Sequence, residues 1–430
     1  MKRYRPYIIY FAVFAALLLL LYLLLVLCAT VPNSAIKEQM WRSAESYANA
    51  DRYGFSENGI FQNVADNNAD QMWLNIGWHM AGDNPFCSAL DTRYYAGTAQ
   101  GSSSALYMTV TRGKEANADY SRYWHGTAGL LRILHLFTDM DGIKSIGMIV
   151  LILAILKTLG ELLARDSWDL GLCLLVSLLW VQIWNLRLSV EYLPCFLICF
   201  GLCPLFLRWE KQGDFYLDIL AVTSGTLTAF FDFLTTETVT ILIPLILVIA
   251  LRSRERRLGS PRQVLGMLFR CGLCWLLAYA GTFVVKWTAV SLVTGENHFL
   301  AALDSAGKRM GGAVAMGQLH KKPGVVAAIA ANLSVLFKGV ARTEYRLVIY
   351  HLVLILILLF VIHRLNPNGK KQRPGTAFLL LLGGVVLLRY SILANHSYLH
   401  AFFTYRALSG TILALLCALT INLRPDRKGR

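Results

Sequence analysis

Residues 10–29 read YFAVFAALLLLLYLLLVLCA, an unbroken apolar run without a single charge. As a helix, twenty residues rise about 30 Å, the depth of a bilayer's hydrocarbon core. The basic stretch Met1-Lys2-Arg3-Tyr4-Arg5 before it looks like the start of a secretory signal. The apolar core is longer than a cleaved signal needs, so the segment is expected to stay as a signal anchor. The rest of the chain agrees with this beginning. Of its 430 residues 56% are hydrophobic and 16% charged, and the mean hydropathy is +0.50. A water-soluble protein of this composition would expose too much apolar surface to remain dispersed.

Hydropathy predicts spans at 7–30, 145–163, 169–186, 190–207, 216–234, 238–252, 264–293, 346–363, 376–394 and 401–422. The expected fold class is therefore all-α, a polytopic transmembrane bundle of about ten helices forming a single membrane domain over 1–430. Two long polar stretches interrupt it, 31–144 and 294–345. The net charge of +15 concentrates in joints. Arg165, Arg208, Lys211, Arg252, Arg254, Arg256, Arg257 and Arg262 fall on one side, with Arg364, Lys370, Lys371, Arg373 and the Arg424–Arg430 tail. Under the positive-inside rule that side is cytoplasmic, as are both termini, in a multi-pass cell-membrane protein. The positive charge is then orientation, and nucleic acid is not an expected partner. Both long stretches become extracytoplasmic loops. Counting Val325–Val340 as a span would put the Lys370-Lys371 joint outside, and Arg132 and His135 interrupt the apolar face of Leu130–Phe137, so both are read as interfacial or re-entrant helices lying along the membrane.

Most of the nine cysteines lie in apolar segments, Cys195, Cys199 and Cys203 at helical spacing, so no disulfide framework is expected. Walker, Rossmann, H-E-x-x-H and G-x-S-x-G patterns are absent, which leaves nucleotide cofactors and the standard hydrolase chemistries without support.

Ionisable groups in membrane helices are costly, and each is a functional candidate. Lys286, Arg389 and Arg406 are expected near the outer ends of their spans, where an Arg fork or a Lys point charge can hold phosphate. Snorkelling or pairing with Asp232 and Glu237 is the structural alternative. His396 and His400, four apart in NHSYLHAFFTYR (395–406), can contact a pyrophosphate and donate a proton near neutral pH, or simply belong to an interfacial aromatic belt. In VADNNADQMW (64–73), Asp66 and Asp70 share a helical face and suit a general base or a divalent cation, though acids also favour a helix's first turn. Asn117–Gly126 gathers Arg122, His125 and three aromatics, a composition found in sugar platforms and at lipid headgroups. The second loop adds Glu296, His298, Asp304, Lys308 and Arg309 beside glycine-rich joints.

The whole-chain plan resembles the GT-C class of multi-pass membrane glycosyltransferases, in which one spanning helix precedes a large outer loop bearing an acidic catalytic residue. The resemblance implies a sugar transferase using a polyprenyl-phosphate donor, with Asp66 and Asp70 at the acidic position and Lys286, Arg389 and Arg406 in the phosphate role. The class places its acid soon after the first helix, where Glu38 and Glu45 lie closer. A transporter or flippase for a lipid-linked or anionic substrate is the alternative expectation.

Overall fold

The computed structural model describes residues 5–54, 64–97, 105–311, 314–316, 319–321, 324–337 and 374–423. Helices dominate. The first six are α1 (Arg5–Thr30), α2 (Asn33–Ala48), α3 (Asn67–His79), α4 (Pro85–Ser88), α5 (Ala105–Arg112) and α6 (Gly126–Leu134). Next come α7 (Met140–Leu163), α8 (Trp168–Trp180), α9 (Leu193–Trp209), α10 (Asp214–Phe231), α11 (Val239–Arg254) and α12 (Pro261–Thr294). The last are α13 (His298–Gly311), α14 (Val325–Leu336), α15 (Gly375–Ile392), α16 (Ala394–Leu399), α17 (Ala401–Thr404) and α18 (Leu408–Leu423). Among the described residues the strands form two small antiparallel pairs, β1 (Arg93–Tyr94) with β2 (Ala118–Asp119), and β3 (Val314–Met316) with β4 (Leu319–Lys321).

Among the described residues six segments are long and apolar enough to cross a membrane: Arg5–Thr30, Met140–Leu163, Val190–Trp209, Pro261–Thr294, Gly375–Ile392 and Ala401–Asn422. The expected spans 169–186, 216–234 and 238–252 fall on α8, α10 and α11, which are shorter or more polar. The expected span 346–363 and the Lys370-Lys371 joint lie outside the described residues.

Equally apolar helices take opposite places in the bundle. In α11 every residue from Val239 to Leu251 is buried, as befits a helix apolar on all sides and packed all round. By contrast α1, α7 and α12 leave Leu20, Leu153, Phe269 and Leu277 each at least 60% exposed. Those surfaces need an apolar solvent. α10 and α12 approach very closely at Gly225, where a Cβ would sit 2.3 Å from the Trp275 carbonyl oxygen. Small residues at such crossings let backbones meet, and nothing larger fits here.

At the end of the bundle bearing the α7–α8, α9–α10 and α11–α12 joints, Glu210 is fully buried. It accepts hydrogen bonds from Arg165 (2.9 Å), Arg252 (3.1 Å) and Arg257 (2.7 Å). Arg254 pairs with Asp169, and Arg208 with Glu161. Much of the basic charge in these joints is thus tied into ion pairs across helices.

The segment between α1 and α7 has its own core. α2 turns Ile36, Met40, Ala44 and Tyr47 inward at helical spacing. Arg132 and His135 of the expected membrane-parallel stretch prove to be fully buried. Arg132 donates to the carbonyls of Cys28 (3.1 Å), Val31, Gly77 (2.7 Å) and Trp78, and to Asn33 Oδ1. One guanidinium thereby satisfies the carbonyl-rich C-terminal ends of both α1 and α3, where the helix dipoles favour a cation. α14 is twelve residues long and mostly buried, with Asn332 Nδ2 donating to Ser397 O at 2.8 Å.

Candidate functional site

Where the α1–α7 segment meets the bundle there is a cavity of about 400 Å³. Its acids are Asp66 and Glu191, and its cations Arg52, Arg122, Lys308 and Arg309. His396 and His400 line another side, and Tyr53, Trp73, Tyr120, Phe233 and Phe403 supply the aromatic wall. A basic, aromatic and acidic lining of this kind suits a ligand with a phosphate, a ring-shaped body and a proton to lose.

Asp66 is the N-cap of α3, its Oδ1 accepting the Ala69 N–H at 2.8 Å. Burial, and to a smaller extent the nearby Asp70, push its carboxyl up to about 6, while the capping hydrogen bond opposes them. Glu191, from the short 3-10 turn Val190–Tyr192 before α9, is in hydrogen-bonding contact with Asp66.

Asp70 sits one turn further along α3 in a different setting. Fully buried, it pairs with Lys144 at 2.6 Å and accepts from Tyr47 Oη (2.8 Å), Ser189 Oγ (2.7 Å) and Val190 N (2.8 Å). Both of its oxygens are engaged by protein donors, and it is not on the cavity wall.

The basic side comes from two elements. Arg122 lies over the Tyr120 ring at 4.0 Å, and its buried Nε has no hydrogen-bond partner among the described residues. Arg309 of α13 lies over Tyr123 at 5.5 Å. α13 is tied to α16 by Asn395 Nδ2 donating to Lys308 O at 2.6 Å, and Asn395 Oδ1 is buried without a partner. His396 Nε2 faces the Leu234 carbonyl at 2.7 Å, so that nitrogen carries the proton and donates. Burial holds His396 well below the ordinary histidine range and therefore neutral; the adjacent His400, its ring centroid 4.6 Å away, pushes the same way.

Of the residues singled out in the sequence, Asp66, Arg122, Lys308, Arg309, His396 and His400 meet in this cavity, and five of those expected to act in catalysis or substrate binding do not line it. Besides Asp70, these are His125, Lys286, Arg389 and Arg406. His125 supports the wall from behind: it is the left-handed N-cap of α6 (φ 55°), and its ring packs at a tilt against Tyr120, the centroids 5.1 Å apart. Its Nε2 donates to Tyr120 O at 2.9 Å, and burial pushes it down to about 3, so it is neutral. Lys286 donates to Leu90 O at 2.5 Å and lies over Trp124. Arg389 is buried, forking onto Glu237 at 2.8 and 3.2 Å and reaching Ser397 Oγ and the Leu234 and Thr235 carbonyls. Arg406 lies over Tyr192 at 4.6 Å and donates to Phe402 O at 3.3 Å.

Sequence reasoning passed over Arg52, Tyr53 and Phe233 as site residues, and over the pairing of Glu191 with Asp66. Glu191 is 125 positions from Asp66, and no local spacing signals their meeting. A polar pair immediately before an apolar run, Ser189 and Glu191, was the available hint. Among the described residues no group of three or more His, Cys, Asp or Glu side chains converges as a metal site. No family model, curated protein or solved structure matches the chain.

Proposed function

We propose that this chain is a membrane glycosyltransferase resembling the GT-C class. In this reading it moves a sugar from a polyprenyl-phosphate donor to an acceptor hydroxyl at the extracytoplasmic face of the cell membrane. The supporting observation is the joint presence, in one cavity, of the buried carboxylate Asp66 and the cations Arg122 and Arg309. Arg122 Nε needs an acceptor and Asn395 Oδ1 a donor, and a phosphorylated polyol offers both. An apolar groove of about 540 Å³ between α6, α7, α9 and α10 supports a lipid-linked donor. It includes Val190 and Phe231, close in sequence to Glu191 and Phe233 of the cavity.

The chemistry follows from these positions. Arg122, Arg309 and Lys308 hold the donor phosphate, taking the role expected from sequence for Lys286, Arg389 and Arg406. Tyr120 and Trp73 flank the sugar. Asp66 accepts the proton of the acceptor hydroxyl as its oxygen attacks the anomeric carbon. The bond from that carbon to the phosphate oxygen breaks, its electron pair leaves with the phosphate, and the cations offset the growing charge. In this arrangement about ten helices cross the bilayer, both termini are cytoplasmic, and 31–144 and 294–345 lie outside.

The test is sugar transfer from polyprenyl-phosphate donors by the purified protein in proteoliposomes. Asp66→Asn should lower turnover by about 10²–10⁴-fold, the usual contribution of a general base. Full turnover in that variant refutes the reading, and movement of intact donor across the bilayer without transfer favours transport instead.

A further inference from the structure

The contact between Asp66 and Glu191 raises a question of proton content that the transfer reaction does not answer by itself. Their carboxyls touch, and the residues are only 5% and 4% exposed. Two buried carboxylates in contact cannot both be ionised. One proton must therefore lie between them, and the pair titrates as a unit.

The surroundings decide which partner carries it. Asp66 Oδ1 receives the Ala69 N–H, and the carboxyl caps the N-terminus of α3, where the helix dipole favours an anion. Glu191 has no such support: no donor reaches its buried Oε1 among the described residues. The other charged or titratable groups around the pair are Asp70 on α3, Arg52 and Tyr53 after α2, Tyr192 beside Glu191 with Arg406 over its ring, and Asp232 after α10, and the cations Arg122, Lys308 and Arg309 line the same cavity. His396 and His400 face the same cavity from α16 and its end. Asp70 is neutralised by Lys144, and Arg52 is the cation that acts on Asp66.

We propose that Glu191 is a positioning acid, carrying the single shared proton at neutral pH and donating it to Asp66 so that Asp66 stays ionised within the cavity. The role of that ionised Asp66 as a base rests on the transferase reading above. In turnover the proton of the acceptor hydroxyl passes to Asp66, leaving both carboxyls protonated until one proton escapes to water. Glu191 touches no reacting atom; it acts through Asp66.

Infrared difference spectroscopy of the purified protein at pH 7, without donor, reads the proton directly. Wild type should show a carbonyl band of an un-ionised carboxylic acid that Glu191→Gln lacks. Asp66→Asn should move that band, because the acid then donates to an amide instead of a carboxylate. An unchanged band in either variant overturns the pair, and the second variant serves if the first fails to fold. In transfer assays Glu191→Gln, which keeps a donor at this place, should retain turnover within about threefold, whereas Glu191→Ala loses about tenfold or more. If Glu191→Gln is as inactive as Asp66→Asn, the positioning role falls. If the band behaves as expected but wild type transfers no sugar, the pair stands and the glycosyltransferase reading falls.

Discussion

Removing Asp70 should unfold the protein far more readily than removing Asp66, although the two acids are one turn apart on α3. Asp70→Ala deletes a fully buried carboxylate that engages Lys144 at 2.6 Å, Tyr47 at 2.8 Å, Ser189 at 2.7 Å and Val190 N at 2.8 Å. The change removes the counter-ion of the Lys144 ammonium, itself only 11% exposed, and the acceptor of two buried hydroxyls and a backbone N–H. Breaking a buried pair by removing one member costs about 3–5 kcal/mol, because the remaining charge is left uncompensated. Lys144→Met alone strands the carboxylate, but three donors still reach it, so the expected loss is smaller, about 2–3 kcal/mol. The double variant leaves no buried charge and should be more stable than Asp70→Ala alone. Equilibrium unfolding in mixed micelles, run as a double-mutant cycle, measures this. The coupling energy should be at least about 2 kcal/mol. A coupling near zero, or Asp70→Ala within about 0.5 kcal/mol of wild type, refutes the assignment of Asp70 as an anchor of the α2–α3–α7 junction.

Asp66→Asn should behave oppositely. A carboxyl raised to about 6 binds its proton more tightly folded than unfolded, so its charge costs stability progressively as pH climbs from about 4 to 6 and fully above that. The variant keeps an N-cap residue and should gain on the order of 1–3 kcal/mol over wild type at pH 8 and nothing at pH 4, read from unfolding midpoints. Gly225→Ala should destabilise the protein by at least about 2 kcal/mol and lower its yield in membranes, since the new Cβ would meet the Trp275 carbonyl at 2.3 Å; a variant of wild-type stability would mean that α10 and α12 are not in contact there. A membrane-impermeant maleimide applied to intact cells should label Cys87, the half-buried thiol between α3 and α5, and labelling only after lysis would overturn the outward placement of that segment.

The sequence carried the helices well and the site poorly, for reasons that individual residues make plain. Apolar runs mark α1, α7 and α12 because lipid imposes a length, and that length is written locally. The same rule does not separate α1 from α11, since both read as uniformly apolar while one faces outward and the other is enclosed. Arg132 looked like an interruption of an apolar face, yet it is fully buried among carbonyls from residues 28, 31, 77 and 78. Nothing in the sequence around Arg132 names those acceptors. Glu191 joins Asp66 in the same way, through the packing of distant segments.

Cost alone is a poor guide to function among buried charges, and the destination of each hydrogen-bonding atom is a better one. Arg389 is a buried charge, but Glu237, Ser397 and two carbonyls use its donors, and a fork so occupied has little left to offer a substrate. Asp70 is likewise spent on four protein donors. Arg122 Nε and Asn395 Oδ1, by contrast, are buried in the cavity wall without partners among the described residues, and leaving such atoms unsatisfied costs about 1–3 kcal/mol each. These two atoms and Glu191 Oε1 lie in one 400 Å³ cavity, while Asp70 and Arg389 just outside it have their hydrogen-bonding atoms engaged by protein, and that contrast is what the proposed ligand site rests on.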